Sequence, residues 1–455
     1  MREEEHSDSL RREARSPWST HNDKAAVTVS PSKTAVHGTV RLAGSKSLTN
    51  RALIIAALAE GESRIDGLLR SDDSYWCIDC LTSLGVRVDV VGDSARVAGC
   101  GGRWPNRTGR LYVGAAGTAA RFLPGALAAA GSGVWTMAGS KRMSERPIAP
   151  LLDALTKLGA GIAYAQDEGS LPFTLEAGGL QGGAVVLPGA ESSQFISGLL
   201  LAAPYAKEAL EIRIDGDVVQ RDYVVMTLGL MEEFGVKPQP AEDGRSITVR
   251  PAKYEARSIR LESDVSTCCY FWALAALTGG RVRIEGIDAA STRQPDIELL
   301  NVLERMGCTV DRGAGHVEVF GPKRLKGGFE VSMGSWSDQT LTMAAMAVFA
   351  DGPVTMKDAA HIRHHECDRI AAVCSELRKF GIRADEHEDG LTVYPGRPLP
   401  SVPLDSHDDH RMAMALSLIG ARVDGVRIAD PGCVSKTCPD FFERMSALGL
   451  QVDYE

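Results

Sequence analysis

Six stretches of this chain restate one phrase: LTSLGVRVDV (residues 81–90), LDALTKLGAGI (152–162), LGLMEEFGVKP (228–238), LNVLERMGCTVD (300–311), SELRKFGIRAD (375–385) and FERMSALGLQVD (442–453). Each begins amphipathic and rich in Leu or Met, reaches a glycine, and continues with an apolar residue that opens an extended segment. The six glycines, at 85, 159, 235, 307, 381 and 449, stand 74, 76, 72, 74 and 68 residues apart. A glycine in that place supplies the left-handed conformation that stops a helix. Alternating patterns such as Val86-Arg87-Val88-Asp89-Val90 and His316-Val317-Glu318-Val319-Phe320 then predict strands. A repeat of about 70 residues accommodates two helices and several short strands. The reading is an α/β (α+β) chain, and six copies predict two similar domains of three repeats each. The charged phrase PAKYEARSIRLE (251–262) lies halfway and predicts a crossover between them.

Composition narrows the function. The 455 residues suit about three domains or two large ones. With 44% hydrophobic and 24% charged residues, wholesale disorder is excluded. Lys plus Arg number 50 against 59 Asp plus Glu, a net charge of -9, so nucleic acid is not an expected partner. An anionic ligand must then be met by local basic clusters. The longest apolar runs, Ala52–Ala59 and Ile196–Pro204, fall short of the roughly 20 residues a membrane helix needs. No membrane partner is expected. The opening MREEEHSDSLRREARSPWSTHNDK lacks the apolar segment of a signal peptide and is too acidic for a transit peptide. Residues 1–25 therefore read as a disordered extension, and the expected location is cytoplasmic. Cys77 and Cys80 form a lone C-x-x-C without a second pair at zinc spacing and read as helix-borne core thiols.

Polar and basic residues interrupt apolar context in four places. In LAGSKSLTNRALIIAALAEG (42–61), Lys46, Ser47 and Arg51 crowd the start of a helix through Ala52 to Glu60. This is either an anion site built on helix N–H groups or a capped helix with solvated charges. In YVGAAGTAARFLPGAL (112–127), Gly114 and Gly117 permit close backbone approach to a ligand or simply make a tight turn, and Arg121 follows. In GAESSQFISGLLLAAP (189–204), Ser192, Ser193 and Gln194 open an apolar helix and either hold a phosphate or act as an ordinary cap. The fourth set is dispersed: Arg146, Asp338, Glu366, Arg369, His410, Arg411 and Lys436. His361, His364, His365 and Glu366 do not form H-E-x-x-H, and no metal is expected. Neither does G-x-S-x-G accompany Asp409-His410. Helix starts of this kind recur once per repeat. Arranged symmetrically, they would converge on a basic cleft between two domains, suited to small, multiply anionic molecules, with Asp338 and Glu366 as acid–base groups.

The phrases GSKSLTNRALIIAALAEG (44–61), AGTAARFL (116–123), RMSERPIAPLLDAL (142–155), SSQF (192–195), DHRMAMALS (409–417) and SKTCPDFF (435–442) carry a name. From about Val29 to its C-terminus the chain resembles the enolpyruvyl transferase family, in its 5-enolpyruvylshikimate-3-phosphate synthase branch. The resemblance implies two domains, each of three βαβαββ units about a pseudo-threefold axis (an inside-out α/β barrel), with the active site in the interdomain cleft. It places one domain at 45–261 and the other at 26–44 plus 262–455, with hinge crossings near Gly44 and Glu262. It also implies the small-molecule substrates phosphoenolpyruvate and a phosphorylated hydroxy acceptor, no cofactor, and a monomer.

By position in these phrases, the resemblance assigns Lys46, Gly117, Arg146, Gln194 and Lys436 to the phosphate of phosphoenolpyruvate and Arg369 and Arg411 to its carboxylate. Asp338 resembles the base for the acceptor hydroxyl, Glu366 the group exchanging a proton with the substrate methylene carbon, and Lys46 a sharer in that work. Ser47, Arg51, Ser192, Ser193, Gln220, Tyr223, Asp338, His361 and His365 fall at acceptor-binding positions. Several of these depart from the family's usual residues: His365 replaces a lysine in HHECDR, Gln220 a serine in QRDY, and His361 and Ala115 asparagines. Asp408 likewise replaces the asparagine before Asp409. The departures cluster on the acceptor side. The implied reaction is enolpyruvyl transfer to shikimate 3-phosphate, in aromatic amino-acid biosynthesis. The alternative is transfer to a different phosphorylated alcohol, such as a nucleotide, in specialised metabolism.

Overall fold

The computed structural model describes residues 14–399 and 403–455. The recurrent phrase is a helix end. Its six glycines take φ values of 87, 107, 88, 99, 74 and 99°. After each, the next residue donates its N–H to a carbonyl five residues back: Val86 to Leu81, Ala160 to Leu155, Val236 to Met231, Cys308 to Leu303, Ile382 to Leu377 and Leu450 to Met445. This is the double cap that a left-handed residue permits, satisfying carbonyls the helix would leave bare.

Each repeat then builds one sheet. In residues 108–177, the strand Gly133–Ala138 pairs in parallel with Thr108–Tyr112 and antiparallel with Phe173–Ala177, which pairs antiparallel with Gly161–Tyr164. The parallel pair is joined through the helix Gly117–Ala128, as a parallel connection requires. The same strand order recurs in residues 183–249 and 329–393. The other three sheets borrow strands from far along the chain. Ser258–Arg260 pairs in parallel with Glu60–Asp66, and His37–Arg41 with Arg281–Glu285. Ala26–Ser30 lies between Val426–Ala429 and Gln451–Tyr454.

Through this exchange the chain forms two compact units. One comprises Gly44–Leu261 with the described residues up to Pro17, the other Trp18–Ala43 with Glu262–Glu455. The expected disordered extension is corrected over its second half. Residues 1–13 lie outside the described residues. In the first unit, Ala14 accepts a bond from Trp76 Nε1 at 3.0 Å, and Ser16 Oγ donates to Asp72 at 2.6 Å. In the second unit, Thr20 bonds to Ser435 and Pro439. A polar composition hid this order because the partners lie far away in sequence.

Helices form the core of each unit and sheets face outward. Every residue of the helices Gly117–Ala128, Thr340–Ala347 and His410–Ser417 is buried. Helices apolar on all sides must sit inside, whereas Gly183–Pro188 keeps half its residues exposed. A buried helix still has four N–H groups at its start that need partners. Ser45, Ser192, Asp264 and Asp409 supply caps at four of these starts. Three of these starts, those after Ser45, Ser192 and Asp409, carry polar residues singled out in the sequence.

Candidate active site

In the first unit, three helix starts lie side by side. Asn50 Nδ2 donates to Thr118 Oγ1 at 2.6 Å, joining the helix Lys46–Leu58, one turn in, to Gly117–Ala128 at its second residue. Arg51 joins Lys46–Leu58 to two more helices, Ser193–Ala202 and Asp222–Glu233. It donates from Nε to Thr227 at 2.7 Å, and from Nη2 to Ser197 at 3.3 Å and to the Tyr223 carbonyl at 3.2 Å. A fourth bond runs from Nη1 to the Ser47 carbonyl at 2.9 Å. Four of its five N–H groups thus brace the protein. Complete burial lowers its pKa to about 10. Its guanidinium stands 4.8 Å from the Phe122 ring centre and 5.9 Å from that of Tyr223.

Lys46 is the first residue of its helix, and its Nζ lies 3.5 Å from Asp73 Oδ2. Gly117 opens the next helix, whose Ala116 cap position provides no side-chain bond. A side chain at Gly117 would meet Arg146 Nη1 at 3.1 Å and Arg121 Nη1 at 3.5 Å. Two guanidinium groups therefore lie against a helix N-terminus, the arrangement that receives anions. Arg121 is itself tied to the Gly117 and Pro147 carbonyls. On the third helix, Ser192 caps Gln194 N at 3.2 Å. Ser193 Oγ and Gln194 Oε1 are buried and have no hydrogen-bond partner among the described residues. Such groups cost about 1–3 kcal/mol each when left unpaired, so this helix start is suited to a polar ligand. Gln220 adopts φ 51° and its carbonyl accepts from Tyr223 N.

In the second unit, acids and bases interlock. Asp338 lies in the turn Ser337–Gln339 ahead of the helix Thr340–Ala347. Arg369 Nη1 reaches its Oδ1 at 3.0 Å and Arg411 Nη2 its Oδ2 at 2.8 Å. Glu366 is held likewise, by Arg369 Nη2 on Oε2 at 2.9 Å and by Lys436 Nζ on Oε1 at 2.9 Å. Each carboxylate is clamped by two cations.

Arg369, 1% exposed, is the hub. Its Nε donates to Asp409 Oδ2 at 2.7 Å, its Nη2 to Asp409 Oδ1 at 3.3 Å, and its Nη1 to His365 Nδ1 at 3.1 Å. All five of its N–H groups are therefore engaged. Burial alone would pull its pKa down, but Asp409, Glu366 and Asp338 outweigh that and push it up. His361 Nε2 lies 2.7 Å from Ser337 Oγ, and burial lowers its pKa below the ordinary histidine value. The His361 and His365 rings meet edge to face, with centres 5.8 Å apart.

Two further acids were not singled out as site residues in the sequence. The sequence offers Asp409 only as a neighbour of His410, yet it caps Arg411 N at 2.8 Å while binding Arg369. Its place immediately before an apolar helix start was the available signal. Asp296 had none: it is buried, and accepts from Gln339 Nε2 at 3.0 Å and from Ser266 Oγ. Burial, with Asp338 adding, raises its pKa to about 7.

The model of the family EPSP synthase (3-phosphoshikimate 1-carboxyvinyltransferase) matches residues 31–445. The chain belongs to that family. It is 52% identical over 443 residues to the 3-phosphoshikimate 1-carboxyvinyltransferase 2 of Halalkalibacterium halodurans, covering 97% of this chain and 98% of the relative. It is 41% identical to the 3-phosphoshikimate 1-carboxyvinyltransferase of a Nostoc species, over 90% of this chain and 96% of the relative. The EPSP synthase structure from Acinetobacter baumannii superposes with a TM-score of 0.80 at 26% identity, covering 94% of this chain and all of that one. This EPSP synthase family member thus has the two-domain inside-out α/β fold. Among its described residues, no helix is long and apolar enough to cross a membrane.

Proposed function

We propose that this family member transfers the enolpyruvyl group of phosphoenolpyruvate to the 5-hydroxyl of shikimate 3-phosphate, releasing phosphate and forming 5-enolpyruvylshikimate 3-phosphate. The observation that carries this reading is the double clamp, in which Asp338 and Glu366 are each held by two of Arg369, Arg411 and Lys436. The near-full-length likeness to named 3-phosphoshikimate 1-carboxyvinyltransferases supports it.

In this reading Lys46, Gly117, Arg146, Gln194 and Lys436 receive the phosphate of the donor, and Arg369 and Arg411 its carboxylate. Ser47, Arg51, Ser192, Ser193, Gln220, Tyr223, His361 and His365 bound the acceptor. Asp338 takes the proton of the acceptor hydroxyl as its oxygen adds to C2, while Glu366, sharing the work with Lys46, protonates C3. The tetrahedral intermediate then loses phosphate as Glu366 recovers a proton from C3. Donor binding prepares both acids. When Lys436 turns to the phosphate, Glu366 loses a neutralising cation and holds a proton more firmly. When Arg411 turns to the carboxylate, Asp338 becomes a stronger base for the same reason. The basic groups also stabilise charge developing in the intermediate.

The test is release of inorganic phosphate from phosphoenolpyruvate, measured with and without shikimate 3-phosphate. Release that requires shikimate 3-phosphate and yields the enol ether is expected. Turnover with a phosphorylated nucleotide but not with shikimate 3-phosphate would overturn the choice of acceptor. Release that proceeds without any acceptor would overturn the transfer itself.

A further inference from the structure

Lys436 ends a short turn, Pro431–Lys436, one side of which is lined by the far N-terminal part of the chain. Asp430 N, at the start of the turn, donates to the Ala25 carbonyl at 2.9 Å. A side chain at Gly432 would meet Asn22 Oδ1 at 3.1 Å, the His21 carbonyl at 3.2 Å and the Thr20 carbonyl at 3.3 Å, so the segment runs flush along the turn. The closest bonding falls beside the lysine. The wholly buried Ser435 hydroxyl accepts from Thr20 N at 2.9 Å and donates to the Thr20 carbonyl at 3.2 Å. On the other side of Lys436, Thr20 Oγ1 donates to the Pro439 carbonyl at 2.6 Å. One residue, Thr20, therefore grips the chain on both flanks of Lys436. The segment is in turn fixed at His21, which stacks on Tyr454 with ring centres 4.3 Å apart and lies 2.7 Å from Glu443. These residues precede position 31, where the family match begins.

We propose that residues 20–25 form a strap that sets the position of Lys436 and thereby the affinity for the phosphorylated donor. The proposal rests on the reading of Lys436 as a ligand of the donor phosphate. Thr20 and Ser435 are positioning residues, acting only through the lysine. Its ammonium is a point charge whose grip depends on placement, and it is held 2.9 Å from Glu366 at the end of a buried turn that is bonded to Thr20 at Ser435 and, just beyond the turn, at Pro439. Without the strap, the chain loses these bonds on both flanks of Lys436, and a small shift there moves the ammonium relative to Glu366 and the incoming phosphate.

The experiment uses the full chain and four variants: Lys436→Ala, Ser435→Ala, Thr20→Val and Thr20→Ser. KM for phosphoenolpyruvate, KM for shikimate 3-phosphate, kcat and the thermal midpoint are measured for each. Ser435→Ala is expected to raise the phosphoenolpyruvate KM about tenfold, the scale of losing one or two hydrogen bonds, with the acceptor KM nearly unchanged and the thermal midpoint lowered by no more than a few degrees. Thr20→Val should move in the same direction, and Thr20→Ser, which keeps the hydroxyl, should restore the wild-type value. A raised phosphoenolpyruvate KM in Lys436→Ala alone would overturn the strap while leaving the reading of Lys436 intact. An unchanged value in Lys436→Ala would overturn that reading and the strap with it. A fall in thermal midpoint with equal rises in both KM values would reduce the strap to a structural brace and overturn the proposal.

Discussion

Replacing Asp409 with alanine removes the anion on which the second unit's charge cluster is built. Asp409 is fully buried, and its carboxylate binds Arg369 through two oxygens while capping the helix His410–Ser417. Removing one partner of a buried ion pair costs about 3–5 kcal/mol, because the remaining charge stays in a poorly solvating interior. Loss of the cap adds about 1 kcal/mol. Asp338 and Glu366 still face Arg369, which places the expected total near the lower end, about 3–4 kcal/mol. Asp409→Asn keeps the cap and the shape but not the charge, and should cost about 1–2 kcal/mol, the difference between a charged and a neutral hydrogen bond. Urea unfolding followed by circular dichroism separates the two. With a slope of about 2 kcal/mol per molar, the alanine variant should shift the midpoint by about 1.5–2 M and the asparagine variant by under about 1 M. Equal shifts, or a shift under about 0.5 M for alanine, would refute the claim that the Asp409 charge holds Arg369.

Other expectations follow from the same contacts. Arg411→Ala should raise the KM for phosphoenolpyruvate at least about tenfold, as expected for loss of a charge-assisted bond, and the KM for the acceptor far less; equal rises would reject its assignment to the donor carboxylate. Glu366→Gln should lower kcat by about 10²–10⁴-fold, the usual range for a lost acid–base group, with donor binding nearly intact; an unchanged kcat would remove it from the proton transfers. Asp296 has a folded pKa of about 7 against an ordinary 3.8, so the folded state binds its proton more tightly than the unfolded state. Its contribution is full below about pH 4 and declines as pH rises towards 7. The wild-type thermal midpoint should therefore fall relative to that of Asp296→Asn between pH 5 and pH 8. Parallel curves would show that Asp296 does not titrate there.

Much of the fold was legible because it is local. A helix that must stop and a strand that must start leave their mark within about ten residues, and six copies of that mark expose the repeat. The candidate binding groups of the first unit were legible for a related reason. Lys46, Gly117 and Ser193 stand at helix starts, where backbone geometry itself makes an anion site, and an apolar helix announces its start by the polar residues before it. Roles were harder to read than places. Arg51 reads as a ligand-binding cation, yet most of its N–H groups brace neighbouring helices.

From its amino-acid order alone the chain therefore determined its class, its sixfold repeat and the family its phrases resemble, since each depends on residues adjacent in the chain or on the helical period. Only the tertiary structure decided which distant strands fill the borrowed sheet positions, that Asp338 and Asp409 join the neighbouring Glu366 on Arg369, and that Thr20 grips the turn bearing Lys436. Those choices turn on which hydrogen-bonding edges and buried charges remain unsatisfied once the local pieces have formed. Such deficits exist only in three dimensions and are met by partners that stand as far as 415 residues away, as Thr20 does from Ser435.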